Sequence, residues 1–206
     1  YYYMHPIKNM NSFVQNFAYS LGKQRKYLLA NCKKENVYID TALTQVYQTY
    51  GEYDYDAYYT KDIQHPIGVF TADCLGIVLY DPTSHIIAAI HSGWAGTRKQ
   101  ITSKVLNHLI QKEHLNPSTT KVYMCPCIQF DSLEMGTDIL ETFHQLPFDV
   151  SPFIKTISTT KGLLDNRGLN IEMLKRCGIL EANIIASNLD TFHDQNMFSY
   201  RRNRQC

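Results

Sequence analysis

The sequence has almost no net charge, since 20 Lys and Arg residues are matched by 19 Asp and Glu residues in 206, which leaves a formal charge of +1. This balance argues against a strongly electrostatic partner such as duplex nucleic acid or an anionic membrane. No apolar run approaches the roughly 20 residues of a transmembrane helix, and no secretory signal is visible. We therefore expect a cytoplasmic protein that binds neither nucleic acid nor membrane.

Recognisable cysteine motifs are also missing. The six cysteines do not follow a zinc-ribbon spacing, and the Cys-Pro-Cys at 125–127 is not a redox Cys-x-x-Cys. With no export signal, reduced thiols are expected. Internal repeats and Gly/Ser linkers are absent too. A chain of 206 residues with 44% hydrophobic composition can bury a substantial core, and we expect residues 1–206 to form a single domain.

What the sequence does contain is an alternation of strand-like and helix-like segments. Apolar runs predict strands at 67–80, 85–91, 121–124 and 183–187. Helical periodicity predicts helices at 9–19, 22–34, 97–115, 136–146 and 168–177. Thr97 and Gln100 form a capping-box pattern, and Gly178 occupies a usual C-cap position. The pattern indicates a mixed sheet with helices packed outside it, an α/β or α+β layered domain.

The first functional clue is the stretch Phe-Thr-Ala-Asp-Cys at 70–74, inside an otherwise apolar run. Burying an unpaired carboxylate is costly, so Asp73 needs a partner, either a backbone amide or an Arg, and we expect its role to be structural. Neighbouring residues on a strand point to opposite faces. If Asp73 faces away from a site, Cys74 faces into it.

The register of the next turn suggests what Cys74 meets. Asp-Pro-Thr-Ser at 81–84 has the composition of a hairpin turn. If Tyr80 pairs with His85, Cys74 lies directly opposite His91, with their Cβ atoms about 5 Å apart. A bulge would shift this register by one residue.

A thiol beside an imidazole suits two kinds of chemistry. The imidazole can stabilise a thiolate nucleophile, or both groups can bind zinc; a packed Cys beside a hydrogen-bonded His is the structural alternative. Gly93 and Gly96 allow a sharp turn into a helix that starts near Thr97, whose free N–H groups would form an anion site. An ordinary strand–helix connection is the alternative there.

The run from Gly68 to Thr97 resembles the signature of the laccase-domain family, also called the polyphenol-oxidase-like or peptidoglycan-editing-factor family. Its specific features are "TADC", then a strand and a turn, and then "AIHSGWAGT". Further similar segments lie at 42–51, 125–136, 164–179 and 190–203. The resemblance thus runs from about residue 28 to the end, although the family usually continues into Gly-Arg and a last strand, which this chain lacks.

The resemblance implies a four-layer α/β/β/α fold and a site that binds zinc through one Cys and two His. Cys74 and His91 match two of these ligands, and Tyr47 stands at the third. The implied substrates are phosphate and purine nucleosides: adenosine, inosine and methylthioadenosine for phosphorolysis, and adenosine for deamination. Copper-dependent phenol oxidation and editing of peptidoglycan precursors are also attributed to family members.

Three residues depart from the family pattern at the site itself. Tyr47 replaces a His, while Cys32 and Ala95 replace arginines that were candidate anion binders. Arg98, Arg201 and Thr97 remain as candidates to bind phosphate. Three functions stay open: a zinc-dependent purine nucleoside phosphorylase with deaminating side activity, a metal-free hydrolase or amidase with Cys74 as nucleophile and His91 as base, and a non-catalytic descendant. The oligomeric state is open as well.

Overall fold

The computed structural model describes residues 56–61 and 67–203. Its strands are β1 (Ala57–Thr60), β2 (Leu75–Asp81), β3 (Ile86–Ser92), β4 (Lys121–Met124), β5 (Glu134–Gly136), β6 (Ile154–Thr156), β7 (Lys161–Leu164) and β8 (Ile184–Ala186). Its α-helices are α1 (Trp94–Arg98), α2 (Ile101–Glu113), α3 (Thr137–Glu141), α4 (Asn166–Arg176) and α5 (Tyr200–Asn203). Short 3₁₀ turns occupy Phe130–Ser132, Thr142–Gln145, Ser151–Phe153 and Glu181–Asn183.

These strands form two sheets. The larger has the order β1-β3-β2-β4-β8 and is mixed, because β4 pairs with β8 in parallel while its other pairs are antiparallel. The smaller sheet is antiparallel, with the order β5-β7-β6. The prediction of a mixed α+β fold is therefore confirmed. None of the described helices is both long and apolar enough to cross a membrane.

Alternation along β2 directs one face of the larger sheet into a core. Leu75, Ile77 and Leu79 are fully buried and belong to the same cluster as Val105 and Leu109 of α2. Burying each such side chain contributes on the order of 1.5–3 kcal/mol. The opposite face of β2 begins with Gly76, and it is on this face that the candidate site lies.

Helix α4 joins the two cores. Its Leu174 packs with the cluster under the larger sheet, whereas Leu169 and Met173 pack with a second cluster that contains Phe143 and Leu164. The helix ends as the sequence predicts, because Gly178 follows it in the left-handed conformation with φ of 91°.

Several predicted elements are found close to their expected positions. Strand β4 has the predicted bounds, and β8 and α4 differ from theirs by one or two residues. The segment 136–146 forms α3 and the 3₁₀ turn that follows it. The predicted helices 9–19 and 22–34 lie outside the described residues. Strands β1, β5, β6 and β7 were not predicted, because each has only three or four residues and too little alternation to be recognised.

The prediction of one helix over 97–115 was wrong. The chain becomes helical at Trp94, three residues earlier, and is interrupted at Gln100, which has φ of 61° and separates α1 from α2. A residue in the left-handed region cannot continue a right-handed helix. The capping box of Thr97 and Gln100 is therefore not formed, since Gln100 itself is the N-cap of α2 and makes no side-chain cap bond.

The prediction of a strand over 67–80 was also wrong in its first half. Strand β2 begins at Leu75, and Asp73, with φ of 81°, breaks the extended backbone just before it. Asp73 and Cys74 therefore lie at the entrance to the strand, not in its middle. This position explains why an otherwise apolar run tolerates them.

The register of the β2–β3 hairpin differs from the prediction by two residues. Asp81 pairs with Ile86, so the turn occupies 82–85, and His91 lies opposite Gly76, not Cys74. The Asp81 carboxylate accepts from the backbone amides of Thr83 and Ser84, which moves the turn one residue along the chain. Because a shift of two preserves the face of every side chain, Cys74 and His91 still share a face.

Candidate active site around Cys74 and His91

The structure brings the Cys74 thiol and the His91 imidazole into hydrogen-bond contact. Both groups converge above Gly93, where an added β-carbon would lie 3.1 Å from Cys74 Sγ and 3.8 Å from His91 Nε2. A contact of 3.1 Å is tighter than side chains normally make, so the absence of a β-carbon at Gly93 leaves the room that the thiol occupies.

Asp56 binds the other side of the imidazole. His91 Nδ1 lies 2.8 Å from Asp56 Oδ1, and the His91 backbone amide donates to the Asp56 carbonyl at 2.7 Å. Because Nδ1 is bound to the carboxylate, the thiol meets the ring at Nε2. The sequence reasoning missed Asp56: it directly precedes β1, whose pairing with β3 is a long-range contact, and the neighbouring acidic and Tyr-rich stretch resembles a loop.

Two neighbours set the protonation of His91. Burial by itself lowers the pKa of the imidazole, but the hydrogen bonds and electrostatic interactions with Asp56 and Cys74 outweigh it and raise the pKa to about 9. Without a bound metal, the raised pKa favours the doubly protonated ring at neutral pH. The proton on Nε2 faces the thiol and is available for transfer.

A second thiol, that of Cys125, lies beside Gly76, which is the residue opposite His91 in the sheet. Gly76 is opposite His91 on one side, and on the other side its carbonyl accepts from the Cys125 amide at 2.8 Å. Cys125 Sγ would lie 3.4 Å from a β-carbon on Gly76, so the thiol lies over the glycine. Burial raises the pKa of Cys125 to about 12, which keeps this thiol neutral and a poor nucleophile at pH 7.

Asp73 has the structural role that the sequence predicts. Its carboxylate accepts from the hydroxyls of Thr191 and Ser199, at 2.7 and 3.1 Å, and from the Arg201 backbone amide at 2.7 Å. The expected partner included a backbone amide, and the two hydroxyls were not foreseen. Asp73 thereby anchors the segment 191–201 beside Cys74.

Thr97 is not arranged to bind an anion. Its side chain is fully buried, and the hydroxyl is bonded to Ser92 and Asn170 at 2.9 Å each. Its backbone amide donates to the Gly93 carbonyl at 2.9 Å. The predicted cradle of free N–H groups at this residue is therefore not formed, because the helix has already begun at Trp94.

The two predicted anion-binding arginines lie in different surroundings. The Arg98 guanidinium lies 5.5 Å from the Trp94 ring centroid, a cation–π contact, and donates to Thr142. Arg201 donates to the Glu134 carbonyl and lines a cavity of about 330 Å³ together with Asp131, Glu134 and His193. Cys74 and His91 are not among the residues lining this cavity.

Within 56–61 and 67–203, no group of three or more His, Cys, Asp and Glu side chains has the geometry to hold a metal ion. Cys74 and His91 are in contact and offer two donors. Tyr47, the third predicted ligand, and Cys32, one of the substituted arginine positions, lie outside the described residues. The third substitution, Ala95, lies in α1 directly after Trp94.

The sequence is similar to that of known proteins. The sequence profile of the family described as multi-copper polyphenol oxidoreductase laccase matches residues 8–206. A purine nucleoside phosphorylase of Staphylococcus aureus is 32% identical over 152 residues, which is 71% of this chain and 54% of that protein. Adenosine deaminase RL5 of an unknown prokaryotic organism is 32% identical over 138 residues, 66% of this chain and 52% of that one. The chain thus spans about half the length of these relatives.

Solved structures share the fold. The hypothetical protein YfiH of Bacillus licheniformis superposes with a TM-score of 0.71 at 26% identity, over 73% of this chain and 57% of that one. YlmD of Geobacillus stearothermophilus gives a TM-score of 0.69 at 24% identity, over 72% and 56% of the two chains.

Proposed function

This chain belongs to the multi-copper polyphenol oxidoreductase laccase family, and on that premise we propose that it is a purine nucleoside phosphorylase whose reaction centre is formed by Cys74 and His91. The observation that carries the proposal is the contact of this thiol with an imidazole whose other nitrogen is bound to a buried carboxylate. The names of the similar proteins, purine nucleoside phosphorylase and adenosine deaminase, support a purine nucleoside as the substrate.

The reaction requires a proton at a defined place. A phosphate oxygen forms a bond to C1′ of the ribose as the bond from C1′ to the purine nitrogen breaks, and the departing base must receive a proton. His91 holds a proton on Nε2 at neutral pH and is the group that can donate it. Cys74 is hydrogen-bonded to the same nitrogen and thereby fixes the orientation of the ring edge that carries this proton.

The donor pair also fits zinc. A thiolate and an imidazole nitrogen are ligands that zinc accepts, and a carboxylate on the remaining nitrogen is the usual partner of a zinc-bound His. Cys74 and His91 would hold the ion, with Tyr47 as the third candidate from the family pattern. When bound, zinc would replace the proton on Nε2 and would polarise a substrate oxygen or water, so His91 would then hold the metal and not serve as the proton donor. Copper is the second candidate metal, on the family description alone.

A metal-free hydrolase or amidase is the alternative that a specific observation favours. Cys74 contacts His91, and His91 contacts Asp56. This is the arrangement of a catalytic triad, in which a nucleophile contacts a general base and a third group orients the base. In such an enzyme, Cys74 would attack a carbonyl carbon, the C–N bond would break as the amine left with a proton from His91, and water would then hydrolyse the thioester to regenerate the thiol. Hydrolysis of a peptidoglycan precursor is a reaction of this class.

One set of assays separates these functions. Release of base from adenosine and inosine is followed with and without phosphate, and with zinc, with copper or after chelation, alongside metal analysis of the protein. Wild type is compared with Cys74→Ala and His91→Ala. Cys177→Ala is the matched control, because this thiol lies at the end of α4 near Asn107.

We expect phosphate-dependent release that both site variants abolish and the control retains. Hydrolysis of a peptidoglycan-precursor amide that persists after chelation and is lost in Cys74→Ala would favour the hydrolase. Absence of turnover by wild type with saturating nucleoside, phosphate and zinc would contradict the phosphorylase. If a peptidoglycan-precursor amide is not hydrolysed either, both enzymes are contradicted and a non-catalytic descendant remains. Activity that survives Cys74→Ala would place the reaction elsewhere.

A further inference from the structure

Three carboxylates are buried in the part of the chain that the structure describes, and they are bound in different ways. Asp73 and Asp81 each use both oxygens to accept from backbone amides and hydroxyls. Asp56 has one oxygen on the His91 ring, while its other oxygen, Oδ2, is buried without a hydrogen-bond partner among the described residues.

This difference argues against a mainly stabilising role for Asp56. Leaving a buried acceptor without a donor costs free energy of folding, so buried polar groups are normally paired. Asp73 and Asp81 follow that rule and hold segments of the chain together. Asp56 does not, and its one side-chain partner in the described region is the imidazole of the candidate site. Such an unfavourable arrangement is expected where the group serves the chemistry of a site.

The backbone fixes where this carboxylate lies. Ala57 pairs with Ile90 in the β1–β3 ladder, so Asp56 lies opposite His91. The His91 backbone amide donates a hydrogen bond to the Asp56 carbonyl at 2.7 Å. Directly opposed residues on antiparallel strands point to the same face. The carboxylate is thus placed beside the ring by strand pairing, and it accepts from Nδ1 at 2.8 Å.

We propose that Asp56 is a positioning residue: it holds a proton on His91 Nδ1 and orients the ring so that Nε2 meets Cys74. This inference deepens the proposed function and rests on it for its catalytic consequence, but the orientation of the ring can be tested without turnover. In the neutral ring, a proton on Nδ1 leaves the lone pair of Nε2 to a metal. In the charged ring, Nε2 also carries a proton, which it can donate to the thiol or to the substrate. Without the carboxylate, the ring is free to turn or to change tautomer.

The first test is a long-range ¹H–¹⁵N correlation spectrum of ¹⁵N-labelled wild type without metal. His91 is assigned by its loss in His91→Gln. We expect its Nδ1 to have the shift of a protonated nitrogen. An unprotonated Nδ1 in wild type would overturn the proposal without any Asp56 variant.

The second test compares Asp56→Asn and Asp56→Ala with Asp138→Asn, a control that removes an exposed carboxylate from α3. Titration of the apo proteins with Zn²⁺ should give a Kd that is about 10–100-fold weaker in the Asp56 variants, as for other groups that orient a metal-bound His, and unchanged in the control. In nucleoside assays, kcat should fall more than KM rises. Unaltered His91 signals and zinc affinity in both Asp56 variants would refute the positioning role. If the His91 signals and the zinc affinity behave as expected but wild type has no nucleoside turnover, the proposed function is refuted and the positioning role is not.

Discussion

The carboxylate of Asp73 accepts a hydrogen bond from the backbone amide of Arg201, 2.7 Å away and 128 positions later in the chain. This bond connects the residue directly before the candidate nucleophile to the last described helix. Together with the bonds from Thr191 and Ser199, it makes the position of Cys74 depend on the segment 191–201.

Replacing Asp73 should therefore loosen that segment. We expect Asp73→Ala to lower the free energy of unfolding by about 2–4 kcal/mol, because buried donors lose a charged acceptor and Ala disfavours the positive φ. Asp73→Asn should cost less, since Asn tolerates positive φ and keeps one acceptor oxygen. Urea denaturation and limited proteolysis of 191–201 measure the two effects. Equal stability of wild type and Asp73→Ala would contradict the anchoring role.

Gly93→Ala should damage the site more than the fold. The new β-carbon would lie 3.1 Å from Cys74 Sγ and push the thiol from His91. Misplacing a reacting group by about 1 Å can cost up to about 100-fold in rate, so we expect kcat/KM for inosine to fall at least about tenfold.

Gly96→Ala is the matched control for that change. Its β-carbon would meet Ile101 Cγ2 at 3.3 Å, in the core and not at the thiol. We expect a comparable loss of thermal stability with kcat/KM close to wild type. If both alanine variants lose activity in proportion to their stability, the thiol is not the sensitive contact.

Thr97→Val should act on stability and not on phosphate binding. The hydroxyl lies in a buried network with Ser92 and Asn170, and removing it leaves polar partners unpaired, at a cost of about 1–3 kcal/mol. Thr97→Ser keeps the hydroxyl and should be close to wild type in this network. Thermal unfolding and the KM for phosphate are measured for both. A raised KM for phosphate in Thr97→Val with unchanged stability would restore the anion-binding role that the sequence suggests.

The stability of the protein should fall in acid through Asp81. Burial by itself raises the pKa of this carboxyl, but hydrogen bonds from Asn116, Ser84, Thr119 and Thr83 outweigh it and hold the pKa well below its usual range. A lowered pKa in the folded state means that the contribution is present above the unfolded value, about 3.9, and is lost as the pH falls below it.

Asp81→Asn tests this dependence. We expect the variant to be clearly less stable than wild type at pH 7, with the difference shrinking below about pH 4. Urea denaturation between pH 3 and pH 7 measures it, with the exposed Asp138→Asn as control. A difference that is independent of pH would show that charge at Asp81 does not matter.

Much of the site could be predicted from the sequence because its signals are local. The order "TADC", strand, turn and "HSGW" brings Cys74 and His91 to one face, and this face survives a register error of two because side chains alternate with a period of two. Strand β4 and the C-cap at Gly178 after α4 could likewise be predicted from the local sequence. The two central residues of the candidate site could be identified from this information alone.

Only the tertiary structure revealed the features of the site that depend on contacts between distant segments of the chain. Asp56 reaches His91 only because β1 pairs with β3, and no local pattern specifies which strand pairs with which. Thr97 looked like an exposed helix start, but it is buried because α1 begins at Trp94 and packs it against Ser92 and Asn170. The register of the hairpin was set by the side chain of Asp81, which binds the turn amides. Periodicity along the chain identifies faces and segments, whereas contacts between distant segments depend on the packed fold.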